Sequence, residues 1–263
     1  MRIALGLSYN GARFDGWQTQ PTGRGVQDHV ERALASVAGE PVRVAAAGRT
    51  DAGVHATAQV VHFDTSASRP LSAWVRGVNA HLEPAVAVEW ARPVEEGFHA
   101  RFSAFGRRYH YLLYSWTVRP SVLADLAGWF HQPLDAEAMR QASRCLLGQH
   151  DFSSFRAAEC QARTPVRELR ALNIAQQGRC MVFEFSADGF LHHMVRNIIG
   201  ALIYVGAGRQ PPGWIAELLT SRDRRAAAPT FSPAGLYLTG VFYPPQFEIQ
   251  AEWVPPWFAS ACS

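Results

Sequence analysis

The chain of 263 residues contains no lysine; all 25 of its Lys+Arg residues are arginine. Its side-chain cations, histidine aside, are therefore planar guanidinium forks that suit phosphate and can lie on a base or ring face. Cysteine is sparse as well. Cys145, Cys160, Cys180 and Cys262 form no CxxC pair and no Cys/His cluster at zinc-finger spacing, which argues against a disulfide scaffold or structural zinc and fits a reducing cytosol. The longest uncharged apolar run, "NIIGALIYVGAG", falls well short of the roughly 20 residues of a membrane helix. The start, "MRIALGLSYNG", has too short an apolar stretch for a signal-peptide core, so the expected location is cytoplasmic, with no membrane partner. P-loop, dinucleotide-binding and metal-site signatures are missing, and no cofactor or metal is expected.

What is present is a core-forming composition, 48% hydrophobic and 18% charged, with a formal net charge of only +3. That is enough apolar residue for one large domain or two smaller ones. It is not a polycation. The arginines gather in "RFSAFGRRYHY", "CQARTPVRELR" and "SRDRRAAAP". Arginine interleaved with aromatics offers charge for a nucleic-acid backbone and rings for its bases.

Periodicity gives the organisation. "RIALGLSY" alternates Ile3, Leu5, Leu7 and Tyr9 as a half-buried strand. "VQDHVERALASVAGE" sets Val26, Val30, Leu34 and Val37 on one helical stripe that stops near Gly39. "TAQVVHFDT", "AVAVEWARP" and "RRYHYLLYS" read as strands, and "SAWVRGVNAHL" as a short helix after Pro70. The second half repeats the alternation. Asp135 caps a helix that stops at Gly148, and "ELRALNIAQ" and "CMVFEFSAD" form a hairpin about Gly178. "HMVRNIIGALIYVGAG" and "PPGWIAELLTS" are helices, and "GLYLTGVFY" is a closing strand. The fold class is α+β (α/β): two related mixed domains, 1–104 and 105–245, that share a sheet. An irregular proline-rich tail, 246–263, follows.

The segment "AGRTDAGVHA" places Asp51 between Arg49 and Gly53. An aspartate before a glycine usually serves its own turn. A guanidinium two residues away would instead keep it ionised, as a nucleophile or base requires. Gly48 and Gly53 would let the backbone carry that carboxylate close to a ligand. His55 reads as a turn cap, and Trp17 as packed beneath the loop that joins the first strand to the first helix. Tyr109 and Tyr111 share one strand face, where ordinary core packing competes with stacking on a base. Adjacent His192 and His193, placed at the start of a helix, would point about 100° apart and make a poor metal pair. Arg196, on the flank of a strongly apolar helix, requires an anionic partner, either a carboxylate or a phosphate.

"GRTDAGVHA", "QVVHF", "FHARFSA", "RRYHY", "DFSSF" and "HHMVRN" occur in that order, and together they resemble the tRNA pseudouridine synthase A family. The resemblance runs from Tyr9 to about Tyr243. It implies two α/β domains on a long, mainly antiparallel central sheet flanked by helices, with a basic catalytic cleft between them and a homodimer in solution. It also implies isomerisation of uridine to pseudouridine in the anticodon stem-loop of tRNA, at positions 38 to 40. Residue by residue, Asp51 matches the essential aspartate, Arg49 an arginine that replaces the flipped base, and Tyr109 the tyrosine that stacks on the target uracil. Arg196 matches the arginine that pairs with the aspartate, and Arg107 and Arg108 of "RRYHY" fall among the substrate-binding residues. Asn10 stands where "YDG" is common, and Ala47 where serine is frequent.

The implied reaction breaks the N1–C1′ bond, turns the uracil and re-forms the link through C5, with no net redox change or hydrolysis. An ionised carboxylate could attack C1′, attack C6 or remove the 2′ proton, and the target must first leave its stack. Two rivals set the comparison: an RNA-binding module without chemistry, and a glycosidase. The latter needs a second acid beside Asp51, and nothing in the spacing assigns Glu40 or Asp64 to that place.

Overall fold

The computed structural model describes residues 1–255. In chain order its main elements are β1 (Arg2–Tyr9), α1 (Val26–Ala38), β2 (Ala45–Ala46), β3 (His55–Asp64), β4 (Val86–Val94), β5 (Gly106–Ser115) and β6 (Gly128–Phe130). They continue with α2 (Ala136–Ser143), β7 (Gly148–Asp151), β8 (Val166–Gln177), β9 (Cys180–Ala187), α3 (Met194–Gly206), α4 (Trp214–Ser221), β10 (Leu236–Phe242) and β11 (Gln250–Glu252). The fold is mixed α/β, as the alternation predicts. Two compact units divide it: Met1–Phe105 with Tyr237–Val254, and Gly106–Leu236.

In the first unit the strand order is β4-β1-β3-β10, with β2 on β3 and β11 on β10. β1 runs antiparallel to both β3 and β4, and the short β10–β3 contact is parallel. Ile3, Leu5 and Leu7 are fully buried, but so is Ala4 on the opposite face, so β1 is more deeply covered than the half-buried strand its alternation suggests. The Trp90 ring lies across Gly6, where any Cβ would collide with it. α1 ends as read, on Gly39 in the left-handed region (φ +77°). The segment after Pro70 is helical, with a π-type stretch at Ala73–Gly77. Tyr237–Val254 lies in this unit, although the sequence reading places residues up to 245 in the second domain. The tail beyond 245 is also not wholly irregular, because β11 hydrogen-bonds to β10 through Gly240, Val241 and Phe242. Cys262 lies outside the described residues.

In the second unit β5-β9-β8-β7 are neighbours, mostly antiparallel, with β6 parallel beside β5. The β8–β9 hairpin turns at Gly178 (φ +59°), and Asp135 caps α2 by accepting from the Glu137 and Ala138 amides at 2.9 Å. α3 is buried nearly all round. Val195, Ile198, Ile199, Leu202 and Ile203 form the expected stripe, and Ala201 and Val205 close the other side. Burying a Val- or Ile-sized side chain contributes about 1.5–3 kcal/mol, so this helix anchors the unit. Its polar Asn197, fully buried, donates to the Phe155 carbonyl (2.8 Å) and accepts from Arg224 (3.0 Å) and Thr230 (2.7 Å).

Candidate active site

The Asp51 turn is built from the residues around it. The β2–β3 ladder ends at Ala46, and one further backbone bond follows, Ala47 N–H to the Val60 carbonyl at 2.8 Å. There the Gln59 side chain takes over from the backbone. Its amide donates to the Gly48 carbonyl at 2.7 Å, and its own oxygen accepts from the Gly48 N–H at 3.4 Å. The chain thus leaves the sheet without orphaning a buried peptide group. Thr50 is held twice: its carbonyl accepts from the Trp17 N–H (2.9 Å), and its hydroxyl meets the Tyr9 hydroxyl (2.8 Å). Burial pushes the Tyr9 phenol up to about 12, so it serves as a neutral hydrogen-bonding group.

The turn itself closes with Val54 N–H donating to the Asp51 carbonyl at 3.1 Å, and Gly53 takes φ +78°. The left-handed residue is the one that glycine best supplies. Two more glycines admit the neighbouring loop. Gly16 (φ +96°) lies so close that a Cβ there would sit 2.9 Å from the Thr50 carbonyl oxygen, and a Cβ on Gly11 would strike the Val54 carbonyl. His55, fully buried, accepts from the Gly11 N–H at 3.1 Å through Nδ1 and stacks on Tyr237 at 4.5 Å. This is the structural part read for it. Trp17 is buried beneath the loop against Tyr9, with ring centroids 5.9 Å apart. Asp51 is half-buried at the apex and Arg49 is exposed. A carboxylate on a turn whose backbone is tied at five points is preorganised for chemistry, which lowers the cost of reaching a reacting geometry.

Tyr109, Arg107, Arg108 and Arg196 all belong to the second unit. Tyr109 is nearly buried on β5, its ring edge-on to Phe190 at 5.0 Å. Tyr111, two residues on, is a core residue whose hydroxyl donates to the Ser232 carbonyl at 2.8 Å. Arg107 donates to the Asp188 carbonyl at 3.2 Å, and Arg108 pairs with Glu184 at 3.1 Å. Arg196 is half-buried on the first turn of α3, and its Nε donates to the Phe231 carbonyl at 2.9 Å. The histidines differ from the expectation. α3 begins only at Met194, because His193 adopts a left-handed conformation (φ +62°) that breaks the helix. His192 and His193 therefore precede α3, with their rings 4.0 Å apart.

Glu40 and Asp64 are both committed elsewhere. Glu40 accepts from the Thr65 and Ser66 hydroxyls and the Ser66 N–H, which hold its carboxyl down at about 2. Asp64 takes both arms of Arg2 at 2.9 and 2.8 Å. The residues that sequence reasoning passed over are Gln59, Thr50 and Tyr9. Gln59 did leave a signal, a lone amide inside the apolar strand "TAQVVHF".

A family profile described as tRNA pseudouridine synthase matches residues 7–103 and 142–244, stretches that include Asp51 and Arg196. The chain belongs to the tRNA pseudouridine synthase family. Its relatives include the tRNA pseudouridine synthase A of Thiobacillus denitrificans, 58% identical across 95% of this chain and 96% of that one. That of Chromobacterium violaceum is 60% identical across 95% of each. A chain of a Cbf5–Nop10–Gar1 complex aligns with a TM-score of 0.40 at 12% identity, over 90% of this chain and 48% of that chain. As a tRNA pseudouridine synthase the protein is an isomerase of tRNA uridines. Among its described residues no helix is long and apolar enough to cross a membrane.

Proposed function

We propose that the enzyme converts uridines 38 to 40 of the tRNA anticodon stem-loop to pseudouridine, with Asp51 as the essential carboxylate. Arg196 serves as the partner of that carboxylate, Tyr109 stacks on the uracil, and Arg49 fills the gap left by the flipped base. Arg107 and Arg108 bind the RNA backbone. The enzyme acts in the cytoplasm as a homodimer and needs no cofactor. The observation that carries the reading is the Asp51 turn, where buried side chains fix the backbone and leave one carboxylate at the apex. The committed states of Glu40 and Asp64 weigh against the glycosidase alternative. Isomerisation expels the C5 hydrogen of uridine, so the test is tritium release from tRNA labelled at C5. Release is expected from wild type without added metal or nucleotide, to be lost in Asp51→Asn, and to fall stepwise when uridines 38, 39 and 40 are replaced. Release that ignores those replacements would refute the positional assignment, and tight tRNA binding without release would favour a non-catalytic RNA binder.

A further inference from the structure

The segment between β4 and β5 holds out a ring that the reaction leaves without a task. Phe102 is 76% exposed, more than any other aromatic among the described residues, although its flanking residues Phe98 and Ala100 are fully buried. An exposed phenylalanine on a loose loop needs no explanation. This one sits on a turn that is fastened throughout. His99 N–H donates to the Ser103 hydroxyl (3.0 Å) and Ser103 N–H returns to the His99 carbonyl (2.9 Å). His99 Nδ1 accepts from the Arg101 and Phe102 N–H groups at 3.1 and 3.3 Å. Ala100 is held from both sides, its N–H by His62 Nδ1 (3.1 Å) and its carbonyl by the Tyr243 hydroxyl (2.6 Å). The ring stays mostly open even with the His99 imidazole 4.4 Å from it at 33° and the Arg101 guanidinium over it at 5.6 Å.

A fastened turn that presents a largely exposed aromatic ring with a guanidinium over it matches what an unstacked nucleobase and its phosphate require. A protein partner would call for a broader apolar patch around the ring. We propose that Phe102, with Arg101, is a stacking platform for an unpaired base of the tRNA other than the target uridine. The inference rests on the tRNA-modifying activity of the family and adds a binding site to it. Phe102 does no chemistry in this proposal; it positions the RNA.

The test compares Phe102→Leu, which keeps the apolar bulk, with Phe102→Trp, which keeps the stacking face. Filter binding gives Kd for unmodified tRNA, tritium release gives KM and kcat, and sedimentation velocity gives the oligomeric state. Expected for Phe102→Leu are a Kd and KM raised about 5- to 160-fold, the range of one base–aromatic stack, with kcat within twofold and sedimentation unchanged. Phe102→Trp should restore both constants, and Arg101→Gln should weaken binding and flatten its salt dependence. Unchanged Kd in Phe102→Leu would overturn the platform, as would failure of Phe102→Trp to restore it. A changed sedimentation coefficient would assign the ring to a protein interface instead. Because Kd is read without turnover, a wild type that binds tRNA but releases no tritium would count against the uridine assignment and not against the platform.

Discussion

The two units position their proposed site residues by opposite means. In the first, Asp51 stands on a turn fixed by polar groups one at a time: Gln59 on the Gly48 backbone, the Tyr9 hydroxyl on the Thr50 side chain, and His55 on the Gly11 N–H. In the second, Arg196 rides on a helix whose apolar body is sunk in the core, with its Nε and its carbonyl tied to Phe231. On this turn much of the precision comes from hydrogen bonds added to the packing of Ala47, Val54 and Trp17, each bond with a modest net stabilisation of about 0.5–1.5 kcal/mol. A buried helix gains its precision from packing, where displacement leaves voids or clashes throughout the unit. The turn is therefore the place where activity can be lost with little loss of fold. The helix is where fold and activity fall together.

The largest expected effect is on the acid itself. Asp51→Asn should lower tritium release by about 100- to 10,000-fold or more while tRNA binding stays within a few-fold; an equal loss of both would show that Asp51 is a binding residue. Next comes Arg196→Met, expected to reduce kcat by about 10- to 100-fold, the scale of a charge-assisted hydrogen bond of about 1.5–3 kcal/mol. Normal turnover in that variant would sever the proposed pairing. The sharpest test of the contrast sets Gln59→Leu against Gly200→Val. Gln59→Leu strips the amide that replaces the ladder, and should lower kcat more than it lowers the urea midpoint, with a stability loss of about 1–3 kcal/mol. Gly200→Val drives a side chain into the Pro229 carbonyl beside α3 and should cost about 1–3 kcal/mol or more of stability, with kcat falling in step because Arg196 lies one turn away on the same helix. If both variants lose activity and stability in the same proportion, the two units do not differ in the way argued.

The elements were largely legible because their patterns are strong. The α3 stripe, the Gly39 and Gly178 stops and the Asp135 cap each follow from local chemistry that tertiary context does not reverse. The misses have the same physical root. β2, β6 and β11 have two or three residues each, too few for a period to register, and they exist only because a longer strand offers unpaired edge groups. The sequence places the start of α3 too early because "HHMVRN" looks continuous with the helix. Only the left-handed backbone at His193 ends it, and no property of histidine announces that. At the candidate site, type and spacing single out Asp51 and its glycines as the proposed centre and the structure bears out the turn they form, whereas the fastening by Gln59 and Tyr9 depends on partners about ten and forty residues away.

The smallest expected effect concerns pH, and it too separates the units. Each holds a buried histidine that burial depresses to about 4, His62 in the first and His110 in the second. In the unfolded chain both titrate near 6.5. Between pH 6.5 and 4 the unfolded state therefore binds protons that the folded state resists. Stability is full above pH 6.5 and declines as pH falls toward 4, by about 1–3 kcal/mol for each histidine after allowance for partial solvent screening. Urea unfolding at pH 7 and pH 5 should show that decline, and His110→Gln should shrink it; an unchanged slope would mean that His110 is already hydrated. The units part company in what protonation releases. His62 Nδ1 is the acceptor for the Ala100 N–H, and an imidazolium cannot accept, so acid should loosen the turn that carries Phe102 before it loosens the β5 core around His110. Hydrogen exchange at pH 5 should reveal this as faster exchange of the amides from Ala100 to Ser103 than of those in β5, and equal protection of the two would show that the turn does not depend on His62.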